Sequence, residues 1–451
     1  MRQIFVVKKW ARVRRWLLRG LIAVIVLVTA AWWFENWRGA RAWEEAKARA
    51  EAVGVSLNRA DYAGPEIPDE ENLLLNPVFA AELEKEEGER LGVWKEQLQE
   101  FFVGFDLNPE TGESFQLRDY FTEEITEEEA LKKVVELAED DESRIDSIVG
   151  AIQQAGPGLL LGRADATAEL MEVGEVALQV PELSNAIADS ILIALRSGNA
   201  EKALDRLEAI DRLRRMLEGP SMVSSVVSMG ILGRELTMVW EGLRLKVWSS
   251  SQLAQLTEML DQVDLCRVME STICFETSFV VEALSDLSRG QTHGYEPANF
   301  SEWTLRYGPE GRVVREMARM VEGYLGLVEA LRSKKKVEML EFWDSFEQAD
   351  LDESALSSQA VSMMLGIIES VIGPTADEIS LAKLNLAAER YLIENGKYPD
   401  TLGEIGDEID LRNVDYRLAP DGRPRISIES RYGDEEASMH WQFSPDESAP
   451  E

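Results

Sequence analysis

The chain is poor in the residues that most often do chemistry: two cysteines and two histidines in 451 residues. Cys266 and Cys274 fall in one predicted helix, eight residues apart. At the helical rise their Cα atoms are about 12 Å apart, too far for a disulfide, so two buried thiols are expected. His293 and His440 are distant in sequence and lack metal-ligand spacing, which argues against a zinc site or a histidine-dependent triad. Basic residues are also scarce: 47 Lys and Arg against 83 Asp and Glu, a net charge of −36. Residues 1–38 nevertheless hold eight Lys/Arg and a single acid, Glu35, so the other 413 residues carry −43. A body that acidic repels nucleic-acid phosphates and anionic lipid except where basic residues cluster, and no nucleic-acid partner is expected. Its charge reads first as a solubility device. Long apolar runs are nearly absent; only one segment qualifies as a membrane span.

What is present is ordinary for a globular protein, at 45% hydrophobic and 29% charged residues. The length suffices for two or three domains.

The one long apolar run is GLIAVIVLVTAAWWF, residues 20–34, after a basic stretch with Arg2, Lys8, Lys9, Arg12, Arg14, Arg15 and Arg19. Fifteen residues rise about 22 Å, short of the ~30 Å hydrocarbon core. The flanks extend it: if Arg19 snorkels, residues 16–37 make about 33 Å. The predicted anchor comprises Trp16, Leu21, Ile22, Val24, Ile25, Val26, Leu27 and Val28, with Trp32, Trp33 and Trp37 as an aromatic belt. The basic flank predicts an N-terminus in the cytoplasm and a body on the far side of the membrane. A cleavable signal peptide is the rival reading, with Ala40-Arg41-Ala42 as the nearest small-x-small site. The short apolar stretches 222–232 and 361–372 read as core helices.

The predicted organisation is a basic tail (1–15), the membrane helix (16–37), a polar stalk and linker (38–76), an acidic helical body (77–373), an α+β module (374–443) and a disordered tail (444–451). Gly54 and Ala63-Gly64-Pro65-Glu66-Ile67-Pro68 break the stalk. Helical patterning resumes at Pro77 with Phe79, Leu83, Leu91, Trp94, Leu98 and Phe102. Thr126-Glu127-Glu128-Glu129 is a capping box, and its acids complement a helix N-terminus rather than form a metal or protein patch. Ser197-Gly198-Asn199 joins two helices in a hairpin resembling a tetratricopeptide corner, within an irregular α-solenoid. Trp240, Leu243, Trp248, Leu253, Leu256, Leu260 and Leu265 form an apolar stripe read as core. His293, with Tyr295 and Glu296, lies in a loop and reads as solvent-exposed. Lys334-Lys335-Lys336 reads as a solvated turn.

Gly373-Pro374 marks the predicted boundary, and Thr375-Ala376-Asp377-Glu378 a second capping box opening a helix that Asn395-Gly396 ends. Three strands are expected over 414–418, 425–430 and 437–443, a three-stranded antiparallel sheet with turns at Pro420-Asp421-Gly422 and Gly433-Asp434. The segment Ala387-Ala388-Glu389-Arg390-Tyr391, then Asn395-Gly396-Lys397-Tyr398-Pro399-Asp400-Thr401-Leu402, resembles the helix-to-loop part of bacterial type II secretion pseudopilins. That resemblance implies a helix packed on a small sheet. It does not imply filament incorporation, because here most of the chain separates this helix from the membrane segment. By analogy with some pseudopilins, a calcium site near Asp407, Glu408, Asp410 and Asp421 is conceivable, though no EF-hand-like spacing supports it. The whole chain is also similar to a group of single-pass bacterial envelope proteins. They share Arg41-Ala42-Trp43-Glu44, Pro68-Asp69-Glu70-Glu71-Asn72, the Ser197-Gly198-Asn199 hairpin and the Trp240/Trp248 pair. This second resemblance implies the placement and carries no catalytic residues.

The fold expected is therefore mainly α, with one transmembrane helix and a small C-terminal α+β module. No catalytic, cofactor or metal residues are assigned. The leading function is a membrane-tethered, non-enzymatic scaffold whose partners are lipid, through the N-terminal helix, and other proteins, with no evident small-molecule substrate. Two alternatives stay open: an accessory of a secretion or pilus-like assembly, and a carboxylate-dependent hydrolase.

Overall fold

The computed structural model describes residues 2–62, 68–85, 91, 117–121, 124–156, 168–218, 221–288, 308–333, 356–405, 414–418, 422–429 and 438–441. Among these the chain is mainly helical. In order, the helices are α1 (Arg2–Val53), α2 (Pro77–Leu83), α3 (Glu127–Gln154), α4 (Ala168–Arg196), α5 (Ala200–Leu217), α6 (Met222–Leu245), α7 (Ser250–Asp261), α8 (Leu265–Ser288), α9 (Glu310–Ser333), α10 (Leu356–Ile367) and α11 (Gly373–Asn395). The strands are β1 (Val414–Leu418), β2 (Pro424–Glu429) and β3 (Ser438–Trp441). The chain divides into two compact units, each built from separated stretches: Met1–Asp61 with Ile273–Met364, and Tyr62–Thr272 with Leu365–Glu451.

In the first unit α1 is one unbroken helix, and Gly54, at φ +73°, ends it in the left-handed region open to glycine. The helix continues through the stretch expected as a polar stalk, and there it is packed: Gly39, Ala46 and Ala50 are buried and α1 lies against α9. Small residues at these positions let the two backbones approach closely. Val313, Met317, Val321, Leu325 and Val328 of α9 are buried in the same unit. Beyond Gly54, Arg59 is buried over the rings of Phe275 and Phe279, 5.7 and 5.6 Å from their centroids, and pairs with Glu282 at 3.3 Å.

In the second unit the expected α-hairpin is present. Gly198 adopts φ +72°, and Asn199 caps α5 by accepting from the Lys202 N–H. α5 packs against α3, α4 and α6, so its burial extends around most of its circumference. Trp240 is fully buried, and Trp248 lies so close over Gly242 that a Cβ there would overlap its indole. With Leu243, Leu253, Leu256, Leu260 and Leu265 also buried, the stripe is core. The two thiols of α8 are not bridged; Cys274 is buried, whereas Cys266 is only half-buried.

The expected boundary at Gly373-Pro374 is not a break. α10 passes through a π-helical stretch, Ile368–Ile372, directly into α11. Proline lacks an N–H and its ring crowds the carbonyl four residues earlier; the wider π turn just before Pro374 absorbs both. Thr375 therefore does not cap a helix start; its hydroxyl donates back to the Val371 carbonyl at 2.6 Å. Gly396, at φ +74°, ends α11 as expected. β1 and β2 form an antiparallel pair, Val414 opposite Ile428 and Leu418 opposite Pro424, turning at Gly422 (φ +82°). The other edge of β2 pairs with the short β3, Ile426 opposite Trp441. Ile426, Ile428 and Trp441 are buried, and α11 packs on this side of the sheet.

Candidate functional site

Two features depart from ordinary core-and-surface chemistry: the bare apolar half of α1, and a cluster of ion pairs buried in the second unit. Residues 14–34 of α1 are exposed throughout. Trp16, Leu27 and Trp33 are 70%, 68% and 69% exposed, and Leu21, Ile22, Val24, Ile25, Val26, Val28, Trp32 and Trp37 are exposed with them. A helix seated in a groove or along a membrane surface keeps one polar face; over 20–34 this one is apolar on every face. The most apolar 18-residue stretch within Arg14–Val53 has a mean hydropathy of 2.1, with none of that stretch buried. Thr29, its one hydroxyl, donates to the Ile25 carbonyl at 2.8 Å and so needs no water. The helix is long and apolar enough to cross a membrane. α6 passes the same test of length and composition, at hydropathy 1.3, but 56% of its window is buried. It packs on α4, α5 and α11 and is a core helix, as the sequence implied for 222–232.

Directly after the apolar run, α1 locks onto α9. Glu35 pairs with Arg315 and, at 3.7 Å, with Arg38; the Asn36 side-chain carbonyl accepts from the Gly311 N–H at 2.9 Å. Gly39 and Gly311 touch backbone to backbone, so a Cβ on either would overlap the opposite main chain. Farther on, Arg49 pairs with Glu322 and, at 2.7 Å, with Glu329, and Arg332 donates to the Val53 carbonyl. Partners advance together along both helices, so the pair is parallel. Phe34 and Trp37 stack with centroids 5.9 Å apart, and Arg38 lies 5.8 Å over the Phe34 ring.

The buried cluster centres on Arg214 of α5. Its guanidinium meets Asp211 at 2.5 Å, Glu235 of α6 at 3.2 Å, and Glu218; Asp211 also holds Arg215 at 2.7 Å. Arg214 and Glu235 are 1% and 2% exposed. Desolvation pushes the Glu235 carboxyl up to about 8, with Arg214 opposing and Asp211 adding to the rise. Burial likewise raises Glu218 against the pull of Arg214. For Arg214, burial alone would lower the pKa, but Glu235, Asp211 and Glu218 together raise it. With Glu235 protonated, the cluster holds two cations and two anions and is neutral. A raised carboxyl beside others is what an acid–base site needs. Here, however, the acids are bridged by one arginine and enclosed by packed helices.

Other charges are equally committed. Glu127 accepts from the Leu117 and Arg118 N–H groups at 2.9 and 3.1 Å and pairs with Arg196 at 2.9 Å, while Glu129 completes the capping box with Thr126. That matches the capping reading of these glutamates. Glu241, fully buried, holds Arg196 and Arg244. Among the described residues no cluster of His, Cys, Asp or Glu could hold a metal. His293, Tyr295, Glu296, Trp94, Leu98, Phe102, Lys334, Lys335, Lys336, Asp407, Glu408, Asp410, Asp421 and the His440 side chain lie outside the described residues.

No family model, curated protein or solved structure matches this chain. Sequence reasoning found the apolar helix at the N-terminus but missed the Arg214 cluster and the α1–α9 lock. A signal existed for the first: from Ala203 to Leu217 the apolar or small residues of α5 cover all but the stripe of Asp205, Glu208, Arg212 and Arg215, so its other charges could not all face water.

Proposed function

We propose that this protein is a membrane-tethered helical scaffold, held by α1 with its N-terminus in the bacterial cytoplasm and its acidic body outside the inner membrane, where it binds other proteins. The observation that carries this reading is α1 itself. One continuous helix presents an apolar surface on all sides over 20–34, then docks on α9 from Glu35 to Val53. Retention of the segment is favoured over cleavage for the same reason. A mature chain lacking residues 1–42 would lose Glu35, Asn36 and Gly39, and with them three of the contacts that seat α9. The α4–α5 hairpin supports an irregular tetratricopeptide-like stacking of the body. The Arg214 cluster, bridged and enclosed, speaks for packing rather than hydrolysis. A phosphatase fused to the C-terminus is expected to be active in intact cells, and an inactive fusion with stable protein would reverse the topology. Crosslinking and pull-down of the full chain from membranes should recover specific proteins; recovering none under several conditions would remove the scaffold role.

A second reading, an accessory of a secretion or pilus-like assembly, rests on α11 packed against the small sheet. Co-purification with filament subunits is its test.

A further inference from the structure

α9 starts beside Glu35 and Asn36, the first residues after the apolar run ends at Phe34. Because the pair is parallel, the rest of α9 leads away from that level: from Gly311 to Arg332 the rise is about 31 Å. The register cannot slide, since Gly39 meets Gly311 backbone to backbone at one end and Arg332 holds the Val53 carbonyl at the other. Chemistry at the starting level changes from aliphatic to aromatic and cationic. Trp33, Phe34 and Trp37 are exposed and Arg38 lies over Phe34; the first turns of α9 bring Arg312 beside the exposed Glu310, and Arg315, which Glu35 holds. Side chains with an apolar body and a charged or polar tip gather where hydrocarbon meets headgroups.

We infer that the first turn of α9 rests on the phospholipid headgroup layer, with Arg38 and Arg312 facing lipid phosphates, so that the protein touches the bilayer through a crossing helix and a second helix ending on its surface. This rests on the reading of α1 as a spanning helix. The occupant is the bilayer because the surface is continuous with the apolar span and the guanidiniums complement phosphate in charge.

The test places a benzophenone amino acid at position 27, 310 or 332 of the full-length protein, reconstituted in phosphatidylethanolamine–phosphatidylglycerol vesicles, and reads lipid adducts by mass spectrometry after illumination. Adducts are expected at 27 and 310 and not at 332. Adducts at 27 with none at 310, or equal yields at 310 and 332, overturn the inference while leaving the span intact. No adduct at 27 overturns the span and the inference with it. In the double variant Arg38→Glu, Arg312→Glu, the yield at 310 should fall several-fold while that at 27 holds; an unchanged yield at 310 rules out the phosphate contact.

Discussion

At Glu235, a carboxyl with 2% exposure faces one guanidinium that already serves Asp211 and Glu218. Ionising it would leave an excess negative charge in the core, so it keeps its proton up to about pH 8. Its folded pKa thus lies above the ordinary carboxyl value near ~4.3. Such a group contributes fully to stability below the unfolded value and loses that contribution as pH rises through the folded one. From this site, stability therefore falls between about pH 4 and about pH 8. Glu235→Gln, close in shape to the neutral acid, should remove the slope. Its melting temperature relative to the parent is expected to grow more favourable from about pH 6 to about pH 9, read by circular dichroism. A difference that does not change with pH would show that Glu235 is ionised throughout. Arg214→Met removes the guanidinium shared by Asp211, Glu218 and Glu235, leaving only Arg215 on Asp211, and should cost about 3–5 kcal/mol in denaturant titration at neutral pH.

Helix ends and crossings carry the next level. Thr126 accepts from the Glu129 N–H while the Glu129 carboxylate accepts from the Thr126 N–H, so two groups unsatisfied at the start of α3 are paired at once. Thr126→Ala should cost about 1 kcal/mol by thermal or urea unfolding. At the α1–α9 crossing, the constraint is space rather than hydrogen bonding. Gly311→Leu forces its side chain against Glu35 and Asn36 of α1 and should destabilise the first unit by about 1–3 kcal/mol or more. Proteolysis of the variant would then begin within α1 or α9, whereas parent-like protection of both would deny the contact. The π turn before Pro374 belongs to the same scale: a proline that reads as a boundary in sequence is accommodated inside a continuous helix because the preceding turn is wider.

For the molecule as a whole, α1 joins an exposed apolar half to a half packed on α9, and the two are separable. Deleting residues 2–33 leaves Glu35, Asn36 and Gly39, so the α9 contacts persist. The deletion is expected to move the protein from the membrane pellet to the soluble fraction after cell lysis while its melting temperature stays within a few degrees of the parent. A large fall in melting temperature would mean that the apolar half also packs in the body.

What the sequence determined alone were the features set by neighbours in the chain. The apolar run and its belt, the Thr126 box, the Ser197–Asn199 turn, the helix ends at Gly54 and Gly396, and the strand positions near Val414 all depend on local spacing or backbone freedom. Tertiary structure decided what depends on residues far apart. Whether residues 38–53 were a bare stalk or a packed helix turned on Gly311, some 270 positions away. Whether the acids at 211, 218 and 235 faced water turned on α5 being covered by α3, α4 and α6. Charge patterns on a helix look the same whether solvent or another helix lies beyond them; only the packing of those helices supplies the desolvation that makes Arg214 and Glu235 unusual.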